Sequence, residues 1–347
     1  MGIYLISSCM SYMLYKFLSM FKKKDSFIKI LVSFLPLIIL SAVRYNVGWD
    51  YLKIYTNGFF LIGEEKMPQY FTEIPFDFLV KFIYIISNAN PDWLFIVCTI
   101  ITFIFLTKAI KDQSVNVGFS ILLVFFIRYY FLTLNIVRQG IAMSILLYSL
   151  KYIKENNFKK YIILVILASC FHLMSLVYIP IYFLTKINWK KRKNMFLFVI
   201  FPILAIIAIF IIINFTKYGN YINSKFDLNE FLIHEIILSS IVLMLAIVEK
   251  KELKKQSEYF DIYFILQLIT FGTAILSKFI PVADRIIWYF YLQNIFFIPL
   301  LIKNIKSINL KALIVMILFI VLFINVYMQT VFGDSYSIIP YNTIFNK

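Results

Sequence analysis

Long apolar runs separated by short polar breaks fill the chain from Ile3 to Met328. Runs of roughly 17–25 residues are what an α-helix needs to cross a bilayer. Ile3–Met20, Phe27–Val43, Asp92–Thr107, Val117–Leu132 and Ile136–Ile153 predict spanning helices in the first half. Met195–Asn214, Phe231–Val248, Phe260–Ser277, Arg285–Ile302 and Ala312–Met328 continue the series, for about ten spans in all. Two regions break the rhythm. Residues 44–91 form a longer loop after the second span, with Glu64, Glu65 and Glu73 and an apolar stretch, Phe76–Ser87, interrupted by Lys81. That stretch suits an interfacial or re-entrant helix better than a span. Residues 161–185 have the length of one span but carry basic loops on both sides. A single crossing would put every later lysine loop on the outer side. A dip that returns, broken near His172–Ser175, keeps them all inside and is the preferred reading. Its halves reach only mid-membrane, which is tolerated where broken backbone packs in protein or lines a wet cavity.

Composition agrees. A soluble domain is about 25% charged and under half apolar, whereas these 347 residues are 15% charged and 62% hydrophobic. The fold class is an all-α polytopic membrane protein, one integral membrane domain over residues 1–347 with no internal repeat. The net charge of +16 would suggest nucleic acid in a soluble chain. Here the lysines sit in short loops, among them Lys22–Lys24, Lys108/Lys111, Lys151/Lys154 and Lys250/Lys251. That marks the cytoplasmic side of a plasma membrane, puts both termini outside, and leaves no nucleic-acid partner. Cys9, Cys98 and Cys170 lie inside apolar runs, so no disulfide framework, metal site or cofactor is expected. The first run lacks a basic lead and a small-residue cleavage site, as a retained first helix would.

The chemistry resides in the arginines. Only Arg44, Arg128, Arg138, Arg192 and Arg285 occur among 34 basic residues, and four of them fall at outer helix ends on this topology. They anchor helices by snorkelling, or they use the planar, permanently charged fork to hold an anion. Arg138, in the stretch Asn135-Ile136-Val137-Arg138-Gln139, has the strongest local case. Asn135 is a candidate N-cap, which would place Arg138 in a first turn whose N–H groups and dipole favour an anion. A bidentate guanidinium suits phosphate or pyrophosphate. Asp284-Arg285 precedes Trp288, Tyr289 and Tyr291, and Arg44 precedes Trp49, Asp50, Tyr51 and Tyr55. Such mixtures of arginine, carboxylate and aromatic rings suit sugars, or else form an interfacial aromatic belt. His172 lies in the suspected mid-membrane break, either satisfied by a structural hydrogen bond or functional.

Five segments then carry a resemblance: RYNVGWDY (Arg44–Tyr51), NIVRQGIA (Asn135–Ala142), ILASCFHLMSLVYIPIYF (Ile166–Phe183), DRIIWYF (Asp284–Phe290) and IIPY (Ile338–Tyr341). In this order and spacing they resemble the EpsG-like branch of the Wzy-type bacterial polysaccharide polymerases. The resemblance implies a multi-pass protein of the bacterial cytoplasmic membrane with its active site facing outside. It also implies a glycosyltransferase reaction on oligosaccharide repeat units linked to undecaprenyl pyrophosphate, with a chain-length regulator as a further partner. On that expectation Arg138 and Arg285 hold the donor pyrophosphate, with Gln139 and Asp284 beside them and Arg44 or Arg128 assisting. Asp50 is the first candidate for general base and His172 the second. A flippase of lipid-linked oligosaccharide would distribute charge along a path to both faces, and a membrane O-acyltransferase would need His172 at its centre.

Overall fold

The computed structural model describes residues 1–21, 24–66, 73–187, 231–277 and 283–346, with the side chain of Asp284 outside that description. The expected span Met195–Asn214, the outer loop Thr216–Glu230, Arg192 and the turn residues 278–282 lie outside the described residues. The described helices are α1 (Gly2–Phe21), α2 (Phe27–Ser33), α3 (Leu35–Ala42), α4 (Asn57–Gly63), α5 (Ile74–Ile86), α6 (Asp92–Gln113), α7 (Val117–Phe126) and α8 (Tyr129–Asn135). They continue with α9 (Val137–Lys154), α10 (Phe158–Ser169), α11 (Ile179–Leu184), α12 (Phe231–Gln256), α13 (Phe260–Leu276), α14 (Ala283–Tyr291), α15 (Asn294–Asn304) and α16 (Ile308–Tyr327). No strand occurs among the described residues, apart from an isolated bridge between Arg44 and Thr343.

Among the described residues two helical stretches, Asp92–Gln113 and Ile308–Phe332, are long and apolar enough to cross a membrane, or four if each of two bent pairs is one span. The expected count of about ten spans is not confirmed, and three of the expected runs are broken or bent among the described residues. Pro36 stands at the start of α3, and its ring and missing N–H end the run that began with α2 at Phe34. Arg128 adopts a left-handed φ of 66°, which divides α7 from α8 with a bend of 51°. The Arg285–Ile302 run bends by 41° between α14 and α15. Large apolar side chains nevertheless face outward on α1, α5 and α16, among them Met13, Met20, Phe78, Phe82, Met316 and Ile320. Only 22% of the apolar window containing α16 is buried. Water disfavours so much contiguous apolar surface, and lipid does not; this is a membrane protein.

The centre of the bundle is α9, buried on nearly every side and packed chiefly against α6 and α10. Its two ends differ in kind. The C-terminal end gathers lysines: Lys151 pairs with Asp112, Lys154 with Glu258, Lys186 bonds Asn156, and Lys254 pairs with Asp261. Arg138 sits in the first turn of this helix, roughly 24 Å from Lys154 at 1.5 Å per residue. Residues 158–184 fold back on themselves. Phe158 at the start of α10 meets Tyr182 and Phe183 in α11, and the Tyr161 hydroxyl donates to the Tyr178 carbonyl. The Lys186 ammonium then reaches the Ile153 carbonyl. Both ends of this hairpin therefore lie at the lysine end, and its tip, around His172, points towards Arg138.

Candidate active site

The site is built around the junction of α8 and α9, and each polar side chain of Asn135–Gln139 there holds a different partner. The Asp50 backbone N–H donates to Asn135 Oδ1 at 3.2 Å. Arg138 Nη1 is ion-paired with Glu73 Oε2. Gln139, almost fully buried, donates from Nε2 to the Arg285 carbonyl at 3.0 Å. Asn135 is thus not the cap of α9. The capping residue is Ile136, without a side-chain bond, and the Arg138 N–H is met by the Tyr55 hydroxyl at 3.2 Å. A residue 83 positions earlier does what the local amide was expected to do.

Asp50 reaches this point through a turn that requires glycine. Gly48 has φ +108°, and a Cβ there would stand 2.6 Å from the Leu134 carbonyl oxygen, so only glycine allows the approach to the end of α8. After Asp50 the backbone makes a π-helical turn, Tyr51–Thr56, which carries Tyr55 to the start of α9. The C-terminal tail straps this loop from outside. Gly48 N–H donates to the Ser337 carbonyl, Trp49 Nε1 to the Asp334 carbonyl and Tyr45 N–H to the Asn342 carbonyl. The Asp50 carboxylate takes no hydrogen bond or ion pair from the described residues. Burial raises its pKa above the usual carboxylate range, opposed first by Arg285 and then by Arg138. It is a lone carboxylate held in the field of two guanidinium groups.

Glu73 stands at the start of α5. Its second oxygen accepts the Leu173 N–H at 3.0 Å, directly after His172 at the hairpin tip. One turn along α5, burial pushes the Asp77 carboxyl up to about 6, with Arg138 opposing and Glu73 adding to the rise. The Arg138 guanidinium lies 5.7 Å from the Phe76 ring centre. His172 is buried, and its Nδ1 shares a 2.6 Å hydrogen bond with the Tyr289 hydroxyl. The Tyr178 hydroxyl holds the Tyr289 carbonyl at 2.6 Å, so the hairpin and α14 are fastened together here.

Of the residues expected at the site, the structure brings Asp50, Arg138, Gln139, His172 and Arg285 into one cluster. It does not bring Arg44 or Arg128 there. Arg44 is buried over the Phe95 ring at 4.8 Å and donates to the Ser41 carbonyl at 2.7 Å. Arg128, 0% exposed, is ion-paired with Glu235 of α12 and lies 4.8 Å from the Trp288 ring centre. The side chain of Asp284 is not described. In the sequence Tyr55 and Tyr289 stand out only as aromatic neighbours of Arg44 and Arg285, and Glu73 only as one acid of the 44–91 loop. Glu73 and Asp77 did leave a signal, as acids four apart beside an otherwise apolar helix. Among the described residues no cluster of three or more metal-ligating side chains occurs.

The helical membrane bundle thus gathers Arg138, Arg285 and Asp50 away from its lysine-rich end. Residues 27–343 match the EpsG family, and the chain belongs to that family of Wzy-type polysaccharide polymerase-like proteins. No curated protein and no solved structure matches it.

Proposed function

We propose that the protein is a polysaccharide polymerase of the bacterial cytoplasmic membrane. It transfers the growing glycan from its undecaprenyl-pyrophosphate carrier onto the next lipid-linked repeat unit, at the outer face. The observation that carries this reading is the α8–α9 junction, where Arg138 and Arg285 both act on Asp50. The described lysine loops gather at the opposite end of α9, and by the positive-inside rule this supports an outer position for the arginine end.

The geometry suggests a division of labour. The acceptor hydroxyl gives its proton to the Asp50 carboxylate as its oxygen bonds the anomeric carbon of the donor sugar. The bond from that carbon to the pyrophosphate oxygen breaks, and its electron pair leaves with the pyrophosphate. Guanidinium groups fixed at that point stabilise the departing charge without reorganising. Asp50, with its raised pKa and free carboxylate, has the better claim to be the base. His172, tied to Tyr289, is a positioning group at the hairpin tip.

The test is deletion of the gene in its host, complementation with wild type, Arg138→Ala or Asp50→Asn, and a gel of the surface glycan. Single lipid-linked repeat units outside the cell, with no ladder, is the expected outcome for both variants. Units trapped inside would mean a flippase, and full-length polymer lacking acetyl groups an O-acyltransferase. A normal ladder from Arg138→Ala would contradict the role given to that arginine.

A further inference from the structure

Glu73 carries the furthest inference. It holds the cap position of α5, yet its side chain makes no cap bond with its own helix. Both carboxylate oxygens are engaged elsewhere, one by Arg138 65 residues away and the other by the Leu173 N–H 100 residues away. One buried side chain therefore joins the start of α5, the first turn of α9 and the hairpin tip. Nothing in the local sequence of α5 requires this. A guanidinium is a planar fork, and holding one of its nitrogens sets the direction in which it presents the others. The Phe76 ring restricts the same group from another side.

We propose that Glu73 is a positioning residue of the transfer site, acting through Arg138. It fixes the plane of the guanidinium and registers it against the hairpin tip. This rests on the glycan-transfer reading above. Removing the carboxylate charge leaves Arg138 able to attract a pyrophosphate but poorly aimed at the one that departs. The loss should appear in kcat, whereas KM for the lipid-linked donor should hardly move. A staple that served only the fold would lower the amount of active protein and leave kcat per active molecule alone.

The experiment uses the full chain, purified into lipid nanodiscs, with a pyrophosphate-linked oligosaccharide as donor and acceptor. It compares wild type, Glu73→Gln, Glu73→Asp, Arg138→Ala and the double variant Glu73→Gln/Arg138→Ala, each normalised to folded protein. Glu73→Gln should lower kcat about 10- to 100-fold with KM within about threefold, and Glu73→Asp should recover part of the loss. In the Arg138→Ala background Glu73→Gln should change kcat by less than about threefold, because residues acting as a unit are not additive. Losses that multiply in the double variant, or a wild-type kcat in Glu73→Gln, would overturn the proposal. If Glu73→Gln fails to accumulate, Glu73→Asp decides: a kcat equal to wild type rejects the positioning role, and a tenfold loss at unchanged KM supports it. Wild-type protein that transfers no glycan would refute the function itself, a result distinct from an active wild type with an indifferent Glu73.

Discussion

Arg128 and Arg138 stand ten residues apart in one stretch, and the fold gives them different surroundings. Arg128 closes α7 in a left-handed conformation and points into the protein, against Glu235 and the Trp288 ring. It joins α12 and α14 to the α7–α8 bend. Arg138 opens α9, shares a field with Arg285, and acts on Asp50 and His172. Each has a buried carboxylate partner, so pairing alone does not tell a structural arginine from a functional one. The neighbours do. Arg128 lies against the Trp288 ring, whereas Arg138 shares its surroundings with Asp50, whose carboxylate takes no hydrogen bond or ion pair from the described residues.

The largest effects should fall on the Arg138 side. Arg138→Ala or Asp50→Asn should lower transfer by roughly 10²–10³-fold, the scale for losing one fixed stabiliser of developing charge. Membrane abundance of the variants and in vitro turnover check this, and equal effects from Arg128→Ala at normal abundance would erase the contrast. Arg128→Ala should act on stability instead. Leaving Glu235 buried and unpaired costs about 3–5 kcal/mol, read as lost abundance or a lowered Tm in detergent. Removing the tail beyond Phe332 should lower both abundance and, about tenfold, turnover per folded molecule, because Tyr336 and Ile338 leave the core and Asp50 loses the strap on its loop. The smallest effect is in pH. A base must be ionised, so kcat/KM should fall as pH drops through the raised Asp50 value, above the ordinary carboxylate range. Asp77→Asn should leave that limb in place, and Arg285→Gln should move it higher by removing the main influence opposing the rise. A limb abolished by Asp77→Asn would shift the assignment to Asp77.

Much of this was legible in the sequence. The apolar runs declared a helical membrane protein, and the basic loops flanking residues 161–185 suggested a hairpin of the kind that residues 158–184 form. The scarcity of arginine singled out Arg44, Arg128, Arg138 and Arg285 alike, and of these the fold gathers Arg138 and Arg285 beside Asp50 of the RYNVGWDY segment. What stayed hidden depended on pairing across distance. Asn135 reads as a cap because Asn commonly caps helices, but its side chain is taken by a loop 85 residues earlier. Arg128 reads in the sequence as an assistant to Arg138 or a helix anchor, because Glu235, its partner, lies over a hundred positions away. An acid inside the apolar run Phe231–Val248 was the clue, since an intramembrane carboxylate requires a partner. Breaks within spans were illegible where the bend is set by a buried arginine rather than by proline.

The central claim is that Arg138 performs chemistry while Arg128 holds the fold. It is tested most directly by removing each ion pair whole, so that no buried charge is left alone. Arg128→Met/Glu235→Leu and Arg138→Met/Glu73→Leu are compared for kcat per folded molecule in nanodiscs. The first pair should retain transfer within about fivefold, since a buried ion pair replaced by packed apolar side chains is often neutral for stability. The second should fold and lose transfer by at least about a hundredfold. Equal losses in the two pairs, or transfer surviving without Arg138, would contradict the account.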